Sequence, residues 1–154
     1  NHDFLIDTFF EICKERSNYK LLLVGKGELE EQIRENCVEK GLLDKVIFAG
    51  VRSDIPAVLS AMDVFVFPSL YEGMPNTVIE AQATGLPCLI SDNITKEANV
   101  SGLVYFKSLN LGPSEWAKQV MCLNEENRSR YCTVMAGKGY GINETTKEFV
   151  KYIF

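Results

Sequence analysis

The fold of this 154-residue chain is decided by residues 46–92, VIFAGVRSDIPAVLSAMDVFVFPSLYEGMPNTVIEAQATGLPCLISD. Short apolar runs predict strands, and segments whose apolar residues recur at helical spacing predict helices. In chain order, these are a strand at 46–49, a helix at 54–62, a strand at 64–67, a helix at 76–84 and a strand at 87–91. Gly50, Pro68 and Gly85 mark the ends of three of these segments. Strands that alternate with helices through short turns predict a parallel sheet covered by helices on both faces.

The flanking sequence continues this pattern in both directions. Upstream, it predicts a helix around 3–16, a buried parallel strand at 20–24 and a helix from 28 to about 40 that stops at Gly41. Downstream, it predicts a strand at 103–106 and helices at 113–123, at 126–138 and from 143 or 144 to the end. The predicted fold class is α/β, a Rossmann-like three-layer α/β/α sandwich with a mostly parallel sheet. Its length suits one domain over residues 1–154.

Composition argues against several classes of protein. A formal net charge of -5 and scattered basic residues disfavour a nucleic-acid partner, which selects a basic face. Five cysteines without a CxxC pair indicate small buried hydrophobes in a reducing cytoplasm, not a disulfide framework or a zinc site. The sequence contains no DxD pair that could bind a metal ion, so neither a metal nor another cofactor is expected. No apolar run approaches the ~20 residues of a membrane span.

The candidate site lies in the loops that follow the strands, because ligands of open α/β sheets bind beyond the strands' carboxyl ends. In the loop at 68–75, Glu72 precedes the helix that Asn76 is predicted to cap, and Glu80 lies in that helix's first turns. Free N–H groups of Asn76, Thr77 and Val78 would form an anion site. A carboxylate on each side can accept hydrogen bonds from paired hydroxyls. This layout suits the sugar, diphosphate and ribose of a nucleoside diphosphate sugar.

Spacing alone leaves simpler interpretations open. A glutamate near a helix start stabilises the helix without any ligand. Gly25 and Gly27 follow a predicted strand, but Glu30 stands where a GxGxxG fingerprint has its third glycine. Dinucleotide binding is therefore disfavoured, and a tight strand-to-helix turn explains the glycines as well as a ligand contact does.

Residues 46–92 resemble the C-terminal domain of retaining glycosyltransferases of family four. That family has the GT-B fold, in which two Rossmann-like domains face each other across a cleft. The matching signature is Glu72 and Glu80 followed by the Ala-x-Ala-x-Gly-x-Pro segment at 81–87, and KLLLVGKGELE at 20–30 and AMDVFVFPS at 61–69 match as well. The resemblance covers about residues 1–106. Residues 139–154 more loosely resemble the tail of bacterial enzymes that build capsules or exopolysaccharides.

The resemblance implies a role for each matched position. Glu72 would hold the donor-sugar hydroxyls at the catalytic centre, as a binding group and not as a nucleophile, and Glu80 would hold the ribose hydroxyls. The segment 73–78 would contact the sugar and the diphosphate, 51–53 would border the base, and the glycine loop would line the nucleotide cleft. The implied donor-binding set is Glu72, Gly73, Met74, Pro75, Asn76, Thr77, Val78, Glu80, Gly25, Gly27, Val51, Arg52 and Ser53.

The implied protein is a hexosyltransferase that uses a UDP- or GDP-sugar to extend a polysaccharide or a lipid-linked glycan, with retained anomeric configuration. The family also carries an Arg and a Lys on the diphosphate, near the first strand of this domain. We expect both cations, that strand and an acceptor-binding N-terminal domain to lie upstream of Asn1. Residues 1–154 alone are then expected to be inactive. The resemblance implies a cytoplasmic protein, compatible with peripheral attachment to the inner face of the membrane through the other half.

One departure and several alternatives remain open. Glu97 stands near a glutamate that many relatives have after a Gly-rich loop, but residues 93–97 lack that loop, so its role is undecided. A nucleotide-sugar epimerase or a glycan phosphorylase can share the fold, and a sugar-nucleotide-binding domain can lose catalysis. A receiver-type module is a further alternative. It needs an acidic cluster after its first strand and an Asp after its third, whereas Gly-Lys-Gly and Pro-Ser follow those strands here.

Overall fold

The computed structural model describes residues 1–123, and it confirms the predicted α/β fold with parallel strands. The elements are α1 (His2–Glu15), β1 (Leu21–Leu23), α2 (Glu30–Glu39), β2 (Val46–Phe48), α3 (Ile55–Ser60), β3 (Phe65–Phe67), α4 (Asn76–Ala83), β4 (Cys88–Ser91), β5 (Val104–Lys107) and α5 (Gly112–Cys122). Short 3-10 turns lie at Lys96–Ala98 and Leu109–Leu111. The helices predicted at 126–138 and after 143 lie outside the described residues. None of the helices within 1–123 is long and apolar enough to cross a bilayer.

The sheet is parallel throughout but consists of two separate parts. β1 pairs with β2, with Leu21 opposite Val46, and β4 pairs with both β3 and β5. In the described part of the chain, no ladder of hydrogen bonds joins β1 to β3. The central strand β4 is buried at every position, whereas β1 and β3 are only half-buried. The prediction of a buried strand at 20–24 is wrong in this respect, because one edge of β1 borders an open space.

The two sides of the sheet pack against different helices, which gives three layers. On β4, Leu89 packs with Trp116 of α5 and Ile12 of α1, while the alternating side chains of Cys88 and Ile90 pack with α3 and α4. This alternation is the period of two that a strand imposes on its side chains. A further cluster joins α1 and α2 to β1 and β2. The helices α1, α2 and α5 therefore cover one face, and α3 and α4 cover the other.

The cysteines only partly follow the expectation of small buried hydrophobes. Cys37 and Cys88 are buried, and burial raises the pKa of the Cys88 thiol to about 12. This thiol therefore stays protonated at neutral pH and packs as an apolar group. Cys13 is half-buried and Cys122 is exposed, which corrects the expectation at these positions, while Cys132 lies outside the described residues. Cys122 is exposed because it lies at the end of α5, off the apolar stripe that carries Trp116 and Val120.

Candidate functional site

Direct hydrogen bonds connect the loops at the carboxyl edge of the sheet. The N–H of Gly25, after β1, donates to the carbonyl of Gly50, after β2, at 2.8 Å. The side-chain amide of Asn93, after β4, donates to the carbonyl of Leu70, after β3, at 3.4 Å. Parallel strands bring their carboxyl ends to one edge, so loops far apart in sequence meet there. The four predicted loops thus form two linked pairs at that edge.

The glycine loop combines a backbone requirement with an accessible surface. Gly25 has φ of +124°, a conformation that L side chains rarely adopt, so the turn itself requires glycine there. Gly27 has no such φ, and a Cβ built on it meets no atom within 4 Å. The turn therefore explains Gly25 but does not explain Gly27. Lys26 lies between them with its side chain exposed and passes 3.9 Å from a Cβ built on Gly50.

The start of α4 differs in detail from the prediction. Pro75, not Asn76, is the N-cap, and no side-chain hydrogen bond caps the helix. The expected cap at Asn76 is wrong, since this residue already lies in the first turn. The N–H of Val78 is not free either, because it donates to the carbonyl of Pro75 at 3.0 Å. The anion site predicted at three N–H groups therefore reduces to those of Asn76 and Thr77, both on exposed residues.

Glu80 faces a large cavity that begins beside the glycine loop. Thr77 and Glu80 are three residues apart on α4, so they share one face of the helix. Both line a cavity of about 1230 Å³, together with Gly25, Lys26 and Gly27. The structure thus brings together the glycine loop and the second glutamate of the signature, which are more than 50 residues apart along the chain. Lys26 adds a cation that was not predicted as a site residue. Its position between two loop glycines could have indicated that it lies at the site.

Glu72 lies outside the lining of this cavity, in the loop before α4. Its carboxylate accepts a hydrogen bond from the hydroxyl of Ser69 at 3.0 Å, and its side chain is half-buried. This contact orients the carboxylate from within the same loop. The neighbouring side chains are open to solvent, since Met74 is 46% and Tyr71 84% exposed. Gly73 is exposed as well, whereas Pro75 is buried and fixes the backbone into α4.

The loop after β2 carries an ion pair with two hydrogen bonds. The guanidinium of Arg52 donates from Nε to Asp54 Oδ1 at 2.8 Å and from Nη2 to Oδ2 at 2.6 Å. These hydrogen bonds raise the pKa of Arg52 and lower the pKa of Asp54. Because the pair is exposed, it contributes little to stability, but it holds the plane of the guanidinium in one orientation. Val51 and Ser53 beside it are exposed, and none of residues 51–53 lines the cavity.

Comparison with known proteins identifies the family. The family model "Glycosyl transferases group 1" matches residues 1–126, and the chain belongs to this family. It is 40% identical over 121 residues to the "Putative glycosyltransferase EpsF" of Bacillus subtilis, which covers 78% of this chain and 32% of EpsF. It is 47% identical over 72 residues to the Escherichia coli "UDP-Gal:alpha-D-GlcNAc-diphosphoundecaprenol alpha-1,3-galactosyltransferase", which covers 46% of this chain and 19% of that protein.

Solved structures show the same fold. The match to S. aureus TarM, crystallised as a mutant with Fondaparinux, alpha-GlcNAc-glycerol and UDP, has a TM-score of 0.81 at 19% identity and covers 97% of this chain and 32% of TarM. The expected relationship to GT-B glycosyltransferases is therefore confirmed at the level of family and fold. The chain spans about a third of the length of EpsF and of TarM.

Proposed function

We propose that this chain is the C-terminal, donor-binding half of a retaining hexosyltransferase that uses a UDP-sugar. The observation that carries the proposal is the shared cavity, in which Glu80 and Thr77 at the start of α4 face Gly25, Lys26 and Gly27 at the carboxyl edge of the sheet. The site combines a carboxylate acceptor, a helix N-terminus and a loop whose two glycines leave the backbone accessible. These groups suit a ribose, a diphosphate and a close backbone contact, respectively.

Each part of the site then binds a different portion of the donor. The Glu80 carboxylate accepts hydrogen bonds from the two ribose hydroxyls, and the N–H groups of Asn76 and Thr77 meet the diphosphate. Glu72, oriented by Ser69, holds hydroxyls of the transferred sugar. The guanidinium of Arg52, which its two hydrogen bonds to Asp54 hold in one orientation, borders the base together with Val51 and Ser53. Catalysis follows from stabilising the departing diphosphate by preoriented donors.

The relatives support a UDP donor and a glycan acceptor. The E. coli relative is named for UDP-Gal and a diphosphoundecaprenol-linked acceptor, and TarM was crystallised with UDP. We therefore infer that the parent enzyme extends a lipid-linked glycan or polysaccharide at the cytoplasmic face of the membrane. The acceptor site belongs to the N-terminal domain, which this chain does not contain.

Nucleotide titration of the chain tests this proposal. UDP is expected to raise Tm, because a ligand that binds only the folded state stabilises it by about 1.4 kcal/mol at ~10 times its Kd. That corresponds to roughly 3–6 °C for a domain of this size. Isothermal titration with UDP, GDP and CMP measures the same interaction directly and ranks the bases. No response to any nucleotide, together with a magnesium-dependent acyl-phosphate reaction, would favour the receiver-type module instead.

The two loop glycines give the second test, because the structure explains only one of them. Gly27→Ala is expected to leave Tm within about 1 °C, since a Cβ there meets no atom, but to weaken UDP binding several-fold by obstructing the backbone contact. Gly25→Ala should lower Tm because of its φ of +124°. Differential scanning fluorimetry and isothermal titration report the two effects separately. Gly102→Ala, at a positive-φ glycine remote from the cavity, is the control for a purely conformational cost. Full UDP affinity in Gly27→Ala would exclude this loop from the binding site.

A further inference from the structure

The side chain of Lys26 connects two parts of the proposed donor site that share no cavity. Lys26 and Glu80 line the same cavity, whereas none of residues 51–53 does. The Lys26 side chain nevertheless lies against the loop that carries residues 51–53, since its Cε is 3.9 Å from a Cβ built on Gly50. The two loops are joined at this point, because the N–H of Gly25 donates to the carbonyl of Gly50 at 2.8 Å. Lys26 therefore extends from the ribose end of the site to the loop proposed to border the base.

The ammonium of Lys26 is available to a ligand. Among residues 1–123, it takes part in no ion pair. Neighbouring charges are already paired, since Arg52 donates to Asp54 at 2.6 Å and Arg34 donates to Glu30 at 2.8 Å. An ammonium carries three N–H donors on a flexible stem and accepts no hydrogen bond. Lys26 thus offers the cavity a cation that no carboxylate of the described chain neutralises by direct contact.

The contact with Gly50 favours the base over the diphosphate as the partner of this ammonium. Gly50 does not line the cavity, so the stem of Lys26 lies against a residue outside the cavity, directly before the segment 51–53. The ammonium is one bond beyond Cε and so lies close to that segment. Val51, its first residue, is apolar and 74% exposed, which suits the face of a planar base. The diphosphate is assigned to other donors, the N–H groups of Asn76 and Thr77.

We propose that Lys26 selects the base of the donor nucleotide by donating a hydrogen bond to the C4 carbonyl of uracil. The inference rests on the proposed function, which places the ribose at Glu80 and the base at residues 51–53. The C2 carbonyl of uracil lies next to the bond to the ribose, whereas the C4 carbonyl lies across the ring and reaches farther from Glu80. Cytosine has an amino group at C4, which is a donor like the ammonium. Lys26 therefore favours UDP and disfavours CDP, because two donors that face each other both lack an acceptor.

Isothermal titration of the complete parent enzyme with UDP and CDP tests this inference, because the two nucleotides differ only in the base. The wild-type enzyme is expected to prefer UDP. Lys26→Met keeps the apolar stem and removes the charge, so it should weaken UDP binding by about tenfold and change CDP binding much less. Lys118→Met, at an exposed lysine on α5, controls for the loss of one positive charge. An equal loss for both nucleotides in Lys26→Met would assign the ammonium to the diphosphate and contradict the inference, as would equal binding of UDP and CDP by the wild type.

Lys26→Glu provides an independent check through a change of preference. A carboxylate only accepts hydrogen bonds, so it suits the C4 amino group of cytosine and not the C4 carbonyl of uracil. Its repulsion of the diphosphate is common to both nucleotides and cancels in the ratio of their affinities. The ratio of UDP to CDP affinity is therefore expected to fall below that of Lys26→Met. A wild-type ratio in both variants would overturn the inference and leave the proposed function intact, whereas a wild-type enzyme that binds no nucleotide would overturn both.

Discussion

Glu80→Ala in the complete parent enzyme is expected to weaken UDP binding by about 100-fold, whereas Glu72→Ala should leave UDP binding nearly unchanged and still abolish most of the transfer. Each hydrogen bond to a carboxylate contributes about 1.5–3 kcal/mol, so losing two of them costs roughly two orders of magnitude or more. Glu80 lines the cavity with the glycine loop, so under the proposed function its loss should affect every ligand with a ribose. Glu72 lies in the loop before α4, outside the cavity, so under the proposed function its loss should affect only ligands that carry the sugar.

Two assays separate these roles. Isothermal titration with UDP isolates the nucleotide part, and steady-state kinetics with the UDP-sugar reports kcat/KM for the whole donor. Glu72→Gln should recover part of the activity, because the amide still accepts one hydrogen bond from the sugar. Glu35→Ala, at an exposed glutamate on α2, controls for the removal of one negative charge. If both signature variants retained full kcat/KM, or if Glu72→Ala weakened UDP as much as Glu80→Ala, the assignment would be wrong.

The order of elements was predictable because local chemistry and tertiary structure agree in this chain. Gly41 and Gly85 have φ of +65° and +76° and follow α2 and α4, as their positions after periodic segments predicted. Pro56 lies in the first turn of α3, also as predicted. The start of α4 was not predictable in detail. Asn76 is a good capping residue by type, but Pro75 is buried at the turn and takes the N-cap position.

Part of the candidate site could be predicted from the sequence, whereas the rest depends on contacts between loops that are far apart in the sequence. The two glutamates and the glycines followed from motif and position. The cavity that unites Glu80 with the glycine loop requires the edges of β1 and β3 to face each other, which no local pattern encodes. The half-burial of β1 has the same origin, since the run Leu21–Leu23 is apolar enough for a central strand but borders the open space between β1 and β3.

Gln82→Leu is expected to destabilise the fold by about 3 kcal/mol or more, the largest loss of stability from any single polar side chain described here. Gln82 lies in α4 and is 0% exposed. Its amide nitrogen donates to the carbonyls of Val78 at 3.1 Å and Ala98 at 2.7 Å, and its oxygen accepts from the N–H and the hydroxyl of Ser101, both at 2.9 Å. Leucine has a similar volume, so the loss measures the hydrogen bonds and not a cavity.

Gln82 lies inside the signature segment at 81–87, but no role was predicted for it, because a glutamine in a short amphipathic helix is ordinarily exposed. The structure shows that it ties α4 to the segment 98–101, and so holds the helix that carries Thr77 and Glu80. Urea unfolding should show a lower midpoint with an unchanged m-value for Gln82→Leu. Gln32→Leu, at an exposed position on α2, is the matched control and should shift the midpoint little. UDP affinity measured well below the new midpoint should also fall, because Thr77 and Glu80 lose their fixed backbone. A wild-type midpoint in Gln82→Leu would show that Ser101 and Ala98 find other partners and that α4 does not depend on this side chain.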